Sequence, residues 1–125
     1  MKRMDKEAII KQYEISGKIM YDATYSGDYR RGNREGDKLL EIFKVFEQNK
    51  DFAMECIAEL LKSENVVVRS KAAAYCLALR RDIDIGERVL EEISRDPSYG
   101  IYRFSAEMTL KVWREKGELT LYQKK

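Results

Sequence analysis

The chain has 125 residues, with 24 Lys and Arg against 22 Asp and Glu, one Pro, two Cys and no His. That length fits one domain burying about two-thirds of its unfolded surface, and 44% apolar with 37% charged residues is a globular composition with a well-solvated exterior. A net charge of +2 argues against a nucleic-acid clamp, and the lack of His rules out Ser–His and Cys–His nucleophilic pairs and His-ligated zinc. The reading is a non-enzymatic protein with no metal or cofactor.

The basic start, Met1 to Glu7, runs into charges at Lys11, Glu14 and Lys18 instead of an apolar segment. No signal peptide or membrane span is expected, and the expected compartment is the cytoplasm. The first predicted helix runs from about Asp5 to Ser26, with Asp5 as N-cap. Its apolar line is Ile9, Ile10, Tyr13, Met20, Tyr21 and Thr24, with Gly17 as a small contact. Gly27-Asp28 reads as a stop followed by a cap. The second helix, about Tyr29 to Gln48, is strongly amphipathic through Leu39, Leu40, Ile42, Phe43 and Phe46, but Gly32, Asn33 and Gly36 occupy the continuation of that stripe.

The third helix, about Asp51 to Lys62, turns Phe52, Cys56, Leu60 and Leu61 inward. Ser63-Glu64-Asn65 breaks the chain before a fourth helix, about Val66 to Leu79, carrying Val68, Ala72, Ala73, Cys76, Leu77 and Leu79. A fifth, about Ile85 to Ser94, is capped by Asp84 and buries Val89, Leu90 and Ile93. After Asp96-Pro97-Ser98 the sixth runs to Lys116 with Ile101, Phe104, Leu110 and Trp113 inside, and Gly117 closes it. Residues 118–125 read as a frayed polar tail. Cys56 and Cys76, 20 residues apart without CxxC spacing, read as small buried hydrophobes.

Six helices with short connections make αα-hairpins, and the pairs repeat. A shift of 34 residues lays Val68, Arg69, Ala72, Cys76 and Leu79 over Tyr102, Arg103, Ala106, Leu110 and Trp113, and the turn Ser63 to Asn65 over Pro97 to Tyr99. The expected fold class is all-α, a short right-handed α-α superhelix of about three hairpins in a single domain, with atypical first helices.

The run Asn65-Val66-Val67-Val68-Arg69-Ser70-Lys71-Ala72-Ala73 resembles the second helix of HEAT-like repeats, a polar residue, an aliphatic pair, Arg and then small residues. The 34-residue period is shorter than the usual HEAT length of about 40–47. More widely, Gly27-Asp28-Tyr29 with Asn33, Leu39-Leu40, the Val68-Arg69 and Ala72-Ala73 step, and Ala106 to Trp113 ending at Gly117 resemble a family of small bacterial helical-repeat proteins. Many members are thought to be immunity proteins for polymorphic or contact-dependent growth inhibition toxins. The resemblance implies a protein that occludes the active site of a cognate toxin, with a general protein-interaction adaptor as an alternative; a monomer is the expected free state.

Several stretches are candidates for contact with a partner. Gly32, Asn33 and Gly36 fit either close packing of the second helix on the first near Gly17 or a ligand contact. Arg30, Arg31 and Arg34, with Arg80 and Arg81, are interleaved with acids. They read as a solvated face or, in the runner-up reading, as part of a nucleic-acid-binding repeat. Arg69 and Arg103 occupy equivalent repeat positions, where a ladder of bonds between hairpins is the structural expectation, and Trp113 fills the last core position. Eight Tyr is a high count, and Tyr with Arg is enriched in interface hot spots, although Tyr also caps cores with a wet hydroxyl. In a solenoid the outward residues of the second helices, Arg34, Asp37, Tyr75, Tyr102 and Arg103, would share one partner-binding face.

Overall fold

A computed structural model describes residues 5–123; residues 1–4 and 124–125, the latter part of the expected tail, lie outside the described residues.

 The fold is all-α, with six helices and no strand among the described residues. They are α1 (Lys6–Ser26), α2 (Tyr29–Gln48), α3 (Lys50–Leu60), α4 (Val66–Leu79), α5 (Ile83–Arg95) and α6 (Tyr102–Lys116), with a 3-10 turn, Pro97–Tyr99, ahead of α6. No helix among the described residues is long and apolar enough to cross a membrane. The chain divides into two compact units, Met1–Arg69 and Ser70–Lys125, with the division inside α4.

In the first unit α1 and α2 form an antiparallel hairpin, and α3 packs on both. Asp5 caps α1 by accepting from the Ala8 amide at 2.8 Å, Gly27 ends it in the left-handed conformation, and Asp28 caps α2 through the Arg31 amide. These are the devices the sequence signals, and the helix limits follow them closely. The inward line of α1 is Ile9, Tyr13, Ser16, Gly17 and Ala23, while Tyr21 and Thr24, expected on it, are exposed. Ala23 takes their place because it lies on the same face as Tyr13 and Ser16 at helical spacing. Tyr13 is fully buried, stacks on Phe46 at a centroid distance of 6.4 Å, and donates its hydroxyl to the Leu39 carbonyl at 3.3 Å. Gly17 faces α4: a Cβ there would stand 2.5 Å from Val68 Cγ2 and 3.2 Å from Asn65 Oδ1. Asn65 in turn caps α4, accepting from the Val67 and Val68 amides at 2.8 and 3.3 Å.

In the second unit α5 and α6 pair, with the 3-10 turn against both. The turn after α4 is tighter than the sequence suggests. Arg80 and Asp82 both adopt positive φ, 58° and 53°, and α5 starts at Ile83 without a side-chain cap, so Asp84 lies inside the first turn instead of capping it. Gly100, at φ 56° and ψ −128°, separates the 3-10 turn from α6. The repeat survives as a burial pattern, since Ala72, Cys76 and Leu79 of α4 and Ala106, Leu110 and Trp113 of α6, related by the shift of 34, are all buried. Ile101 and Phe104, expected inside, are 51% and 60% exposed. Position 104 lies about 200° around the helix from 106, so a helix that buries Ala106, Leu110 and Trp113 must turn Phe104 outward. Residues 118–123 are not helical, yet Leu119, Leu121 and Tyr122 are half-buried, so this part of the expected tail is not wholly solvated.

α5 comes against α4 at Gly86, where a Cβ would lie 2.7 Å from the Ala73 carbonyl oxygen and 2.9 Å from Cys76 Cβ. The obstruction is main chain and cannot rotate away. Gly86→Ala is therefore expected to lower stability by about 1–3 kcal/mol, outweighing the gain of up to about 1 kcal/mol in helix propensity. Urea denaturation measures it, and an Ala variant as stable as the parent would mean that α5 is not held at this distance.

Candidate functional site

The α1–α2 turn concentrates exposed aromatic and cationic side chains. Tyr21, Tyr25 and Tyr29 are 39%, 56% and 75% exposed. Tyr21 and Tyr25, one helical turn apart on α1, hold their rings 4.9 Å apart and tilted by 53°, beside an open cleft of about 440 Å³ lined by Tyr21, Asp22, Tyr25 and Ser26. The neighbouring Tyr25 raises the Tyr21 hydroxyl pKa above its ordinary value, so Tyr21 is neutral at physiological pH. Arg30, Arg31 and Arg34 follow on the first turns of α2, all exposed, and form no ion pair among the described residues. Asp28 caps α2 by accepting from the Arg31 amide and forms no ion pair with these arginines among the described residues.

Beneath this surface the hairpin is clasped by a buried polar chain. Glu35 is 6% exposed and accepts from Ser16 Oγ at 2.8 Å and from Lys38 Nζ at 2.9 Å, while Gln12 donates to Ser16 Oγ at 2.7 Å. The Lys38 bond, with Ser16 assisting, holds the Glu35 carboxyl below its ordinary range against the opposing effect of burial. Sequence reading passed over Glu35 as one acid among several. The signal was its place four residues before Leu39, in line with the stripe that continues through Ile42, Phe43 and Phe46.

Gly32 and Gly36 lie above this clasp, facing α1 at Ala23 and Met20, not near Gly17. Cβ atoms there would stand at 3.5 Å from Ala23 Cβ and 3.7 Å from Met20 Cε, ordinary contact distances. Close packing therefore does not require either glycine. Asn33 is exposed. Of the expected partner-binding residues, Arg34 and Asp37 are exposed on α2 in the first unit, and Tyr75, Tyr102 and Arg103 belong to the second. Tyr75 is only 4% exposed and offers no surface, because α4 is buried around most of its circumference from Val66 to Leu79. Tyr102 and Arg103 are half-buried. Arg103 donates Nε to the Gly100 carbonyl at 3.4 Å, a bond within its own turn, and its guanidinium lies 5.4 Å from the Phe104 ring. Arg69 is half-buried and engaged.

Trp113 is buried beneath Arg80, whose guanidinium lies 5.3 Å from the ring and donates to the Gly117 carbonyl. Sequence reading placed Arg80 with Arg81 on a solvated face, and nothing in their identical side chains distinguishes them. Glu91 joins α5 to α6 by pairing with Arg114, with Glu87 3.7 Å from the same guanidinium. The two thiols are pushed up to about 11 by burial, so Cys56 and Cys76 are protonated at neutral pH and are poor nucleophiles.

The fold and this surface define the class, an all-α protein of helical hairpins with an aromatic and arginine-rich turn. Comparison with protein-family models, curated proteins and solved structures finds no match to the chain.

Two expectations test this geometry. Gly32→Ala and Gly36→Ala should each raise stability, by up to about 1 kcal/mol, since helix propensity improves without a clash. A loss comparable with that of Gly86→Ala would restore the close-packing reading. Because the Glu35 pKa is lower folded than unfolded, its contribution is present above the ordinary value of 4.5 and disappears as pH falls through the lower folded value. Glu35→Gln should therefore flatten the acid limb of the urea midpoint against pH below about 4.5, leaving the shape near neutrality unchanged.

Proposed function

We propose that the protein is a non-enzymatic binding protein that acts by covering a surface of another protein. The observation that carries this reading is the α1–α2 turn, where Tyr21, Tyr25 and Tyr29 are exposed beside Arg30, Arg31 and Arg34 with no ion pair among the described residues. Tyr offers large contact area for little lost rotamer entropy, and an unpaired guanidinium offers charge-assisted bonds to carboxylates of a partner. The capped turn and the buried Glu35 clasp support preorganisation of the surface, which lowers the cost of binding.

The resemblance to small HEAT-like immunity proteins supplies the identity of the partner in this proposal: a toxin made by the same cell, neutralised by steric and electrostatic occlusion of its active site. Asp37 could add a contact to a basic partner surface, whereas Glu41 and Glu59 already pair locally with Lys44 and Lys62.

Affinity purification of the tagged protein from its native host at moderate salt is the direct test. A toxin domain retained in stoichiometric amount is expected, with alanine at Tyr25, Tyr29 or Arg34 weakening the complex about tenfold or more while changing stability by no more than about 0.5 kcal/mol. Recovery of RNA alone, lost as salt rises, would overturn the protein-occlusion reading in favour of a nucleic-acid-binding repeat.

A further inference from the structure

The cleft on the exposed face of α1 is lined by Tyr21, Asp22, Tyr25 and Ser26, and Asp22 is its only charged residue. Spacings of three and four residues set the Asp22 carboxylate on one side of Tyr25 and the Tyr21 ring on the other. The two rings, 4.9 Å apart and tilted by 53°, meet at an angle, and both are exposed. Ser26 turns its hydroxyl back to the Ala23 carbonyl at 3.4 Å.

The carboxylate has no cation of its own. Asp22 is exposed and makes no ion pair among the described residues. Lys18, four residues earlier, stands in the less favourable order of cation before acid and does not pair with it. The last turn of α1 carries no basic residue. The arginines of the neighbouring helix are turned elsewhere. Gly32 faces Ala23 of α1, and Arg30 and Arg34, two residues to either side of it, lie about 160° around α2 from that contact.

An anion beside two aromatic faces selects a cation from outside. A cation over the face of Tyr is held by the ring quadrupole. Among protein cations the guanidinium is planar, so it stacks on a ring while its N–H fork meets a carboxylate. An ammonium, compact and strongly hydrated, satisfies the carboxylate without the stack.

We propose that this cleft is a recognition subsite for an arginine side chain of the partner protein, its guanidinium stacked on Tyr25 and forked onto the Asp22 carboxylate. The proposal rests on the reading of the α1–α2 turn as a protein-binding surface and gives its two helices opposite roles. α2 offers cations to acids of the partner, and α1 receives a cation from it.

Amide chemical shifts of the isotope-labelled full chain test this with N-acetyl-arginine amide, against the corresponding lysine and citrulline amides, at constant ionic strength. Citrulline keeps the planar group and loses the charge. The arginine compound, raised to about 100 mM, is expected to shift the amides of residues 21–26 at least about threefold more than either of the others. Asp22→Asn and Tyr25→Leu should each reduce that shift about threefold or more, and Tyr25→Phe, which keeps the ring, should retain it. Circular dichroism and the urea midpoint report that each variant is folded. Equal shifts with the citrulline or lysine compound would overturn the proposal, as would indifference to Asp22→Asn. In the affinity purification, a toxin domain held equally by the parent and by Asp22→Asn would remove the arginine subsite and leave occlusion standing. Arginine selectivity in the spectra with no protein retained would uphold the chemistry of the cleft and remove the occlusion reading.

Discussion

Close approach to α4 is the constraint on which the packing of each unit depends. In the first unit Gly17 lets α1 settle against Val68 and Asn65, and in the second Gly86 lets α5 settle against the main chain at Ala73. Neither contact tolerates a Cβ without displacement of its neighbours. α4 can receive such approaches because it is small and apolar on several sides, with Ala72 and Ala73 at its centre and no charged residue among its buried positions. Its caps follow from the same economy of space: Asn65 both ends the preceding turn and touches the position of Gly17.

Polar groups are buried where they settle register. Glu35, Ser16 and Gln12 tie α1 to α2 within an apolar hairpin. A sliding of one helix past the other would leave the carboxylate buried without its hydroxyl partner, at a cost that an apolar contact could not impose. Arg80 does similar work in the second unit, covering Trp113 and holding the carbonyl that ends α6. Its positive φ is the strain that accompanies that placement, and the left-handed conformation lets the chain reverse between α4 and α5 in three residues.

The helices were legible in the sequence because their signals are local. Asp5, Gly27, Asp28 and Gly117 act at the ends they mark, and the limits of α2 and α4 coincide with the periodic segments. The start of α5 was misplaced because a left-handed Asp82 leaves no mark that distinguishes it from the capping residue Asp84. Orientation was harder than extent. On α6 two apolar lines compete, and only the shift of 34 residues favours the one through Ala106, Leu110 and Trp113. Tyr75 failed for a complementary reason: a helix covered on most sides hides residues that stand off its main stripe. For the candidate site, the tyrosines and arginines around Gly27 were visible as types, but their exposure and the occupation of Asp28 by the helix cap belong to the folded chain.

The two cysteines are the chain's only thiols, one in each compact unit, both shielded and protonated. Alkylation of either demands that its surroundings first open, so the modification rate at Cys56 is a clock for opening in the first unit and that at Cys76 a clock for the second. Peptide mass mapping would separate the two sites without any engineered probe. The native chain thus carries its own pair of reporters, able to distinguish units that breathe independently from units that open together.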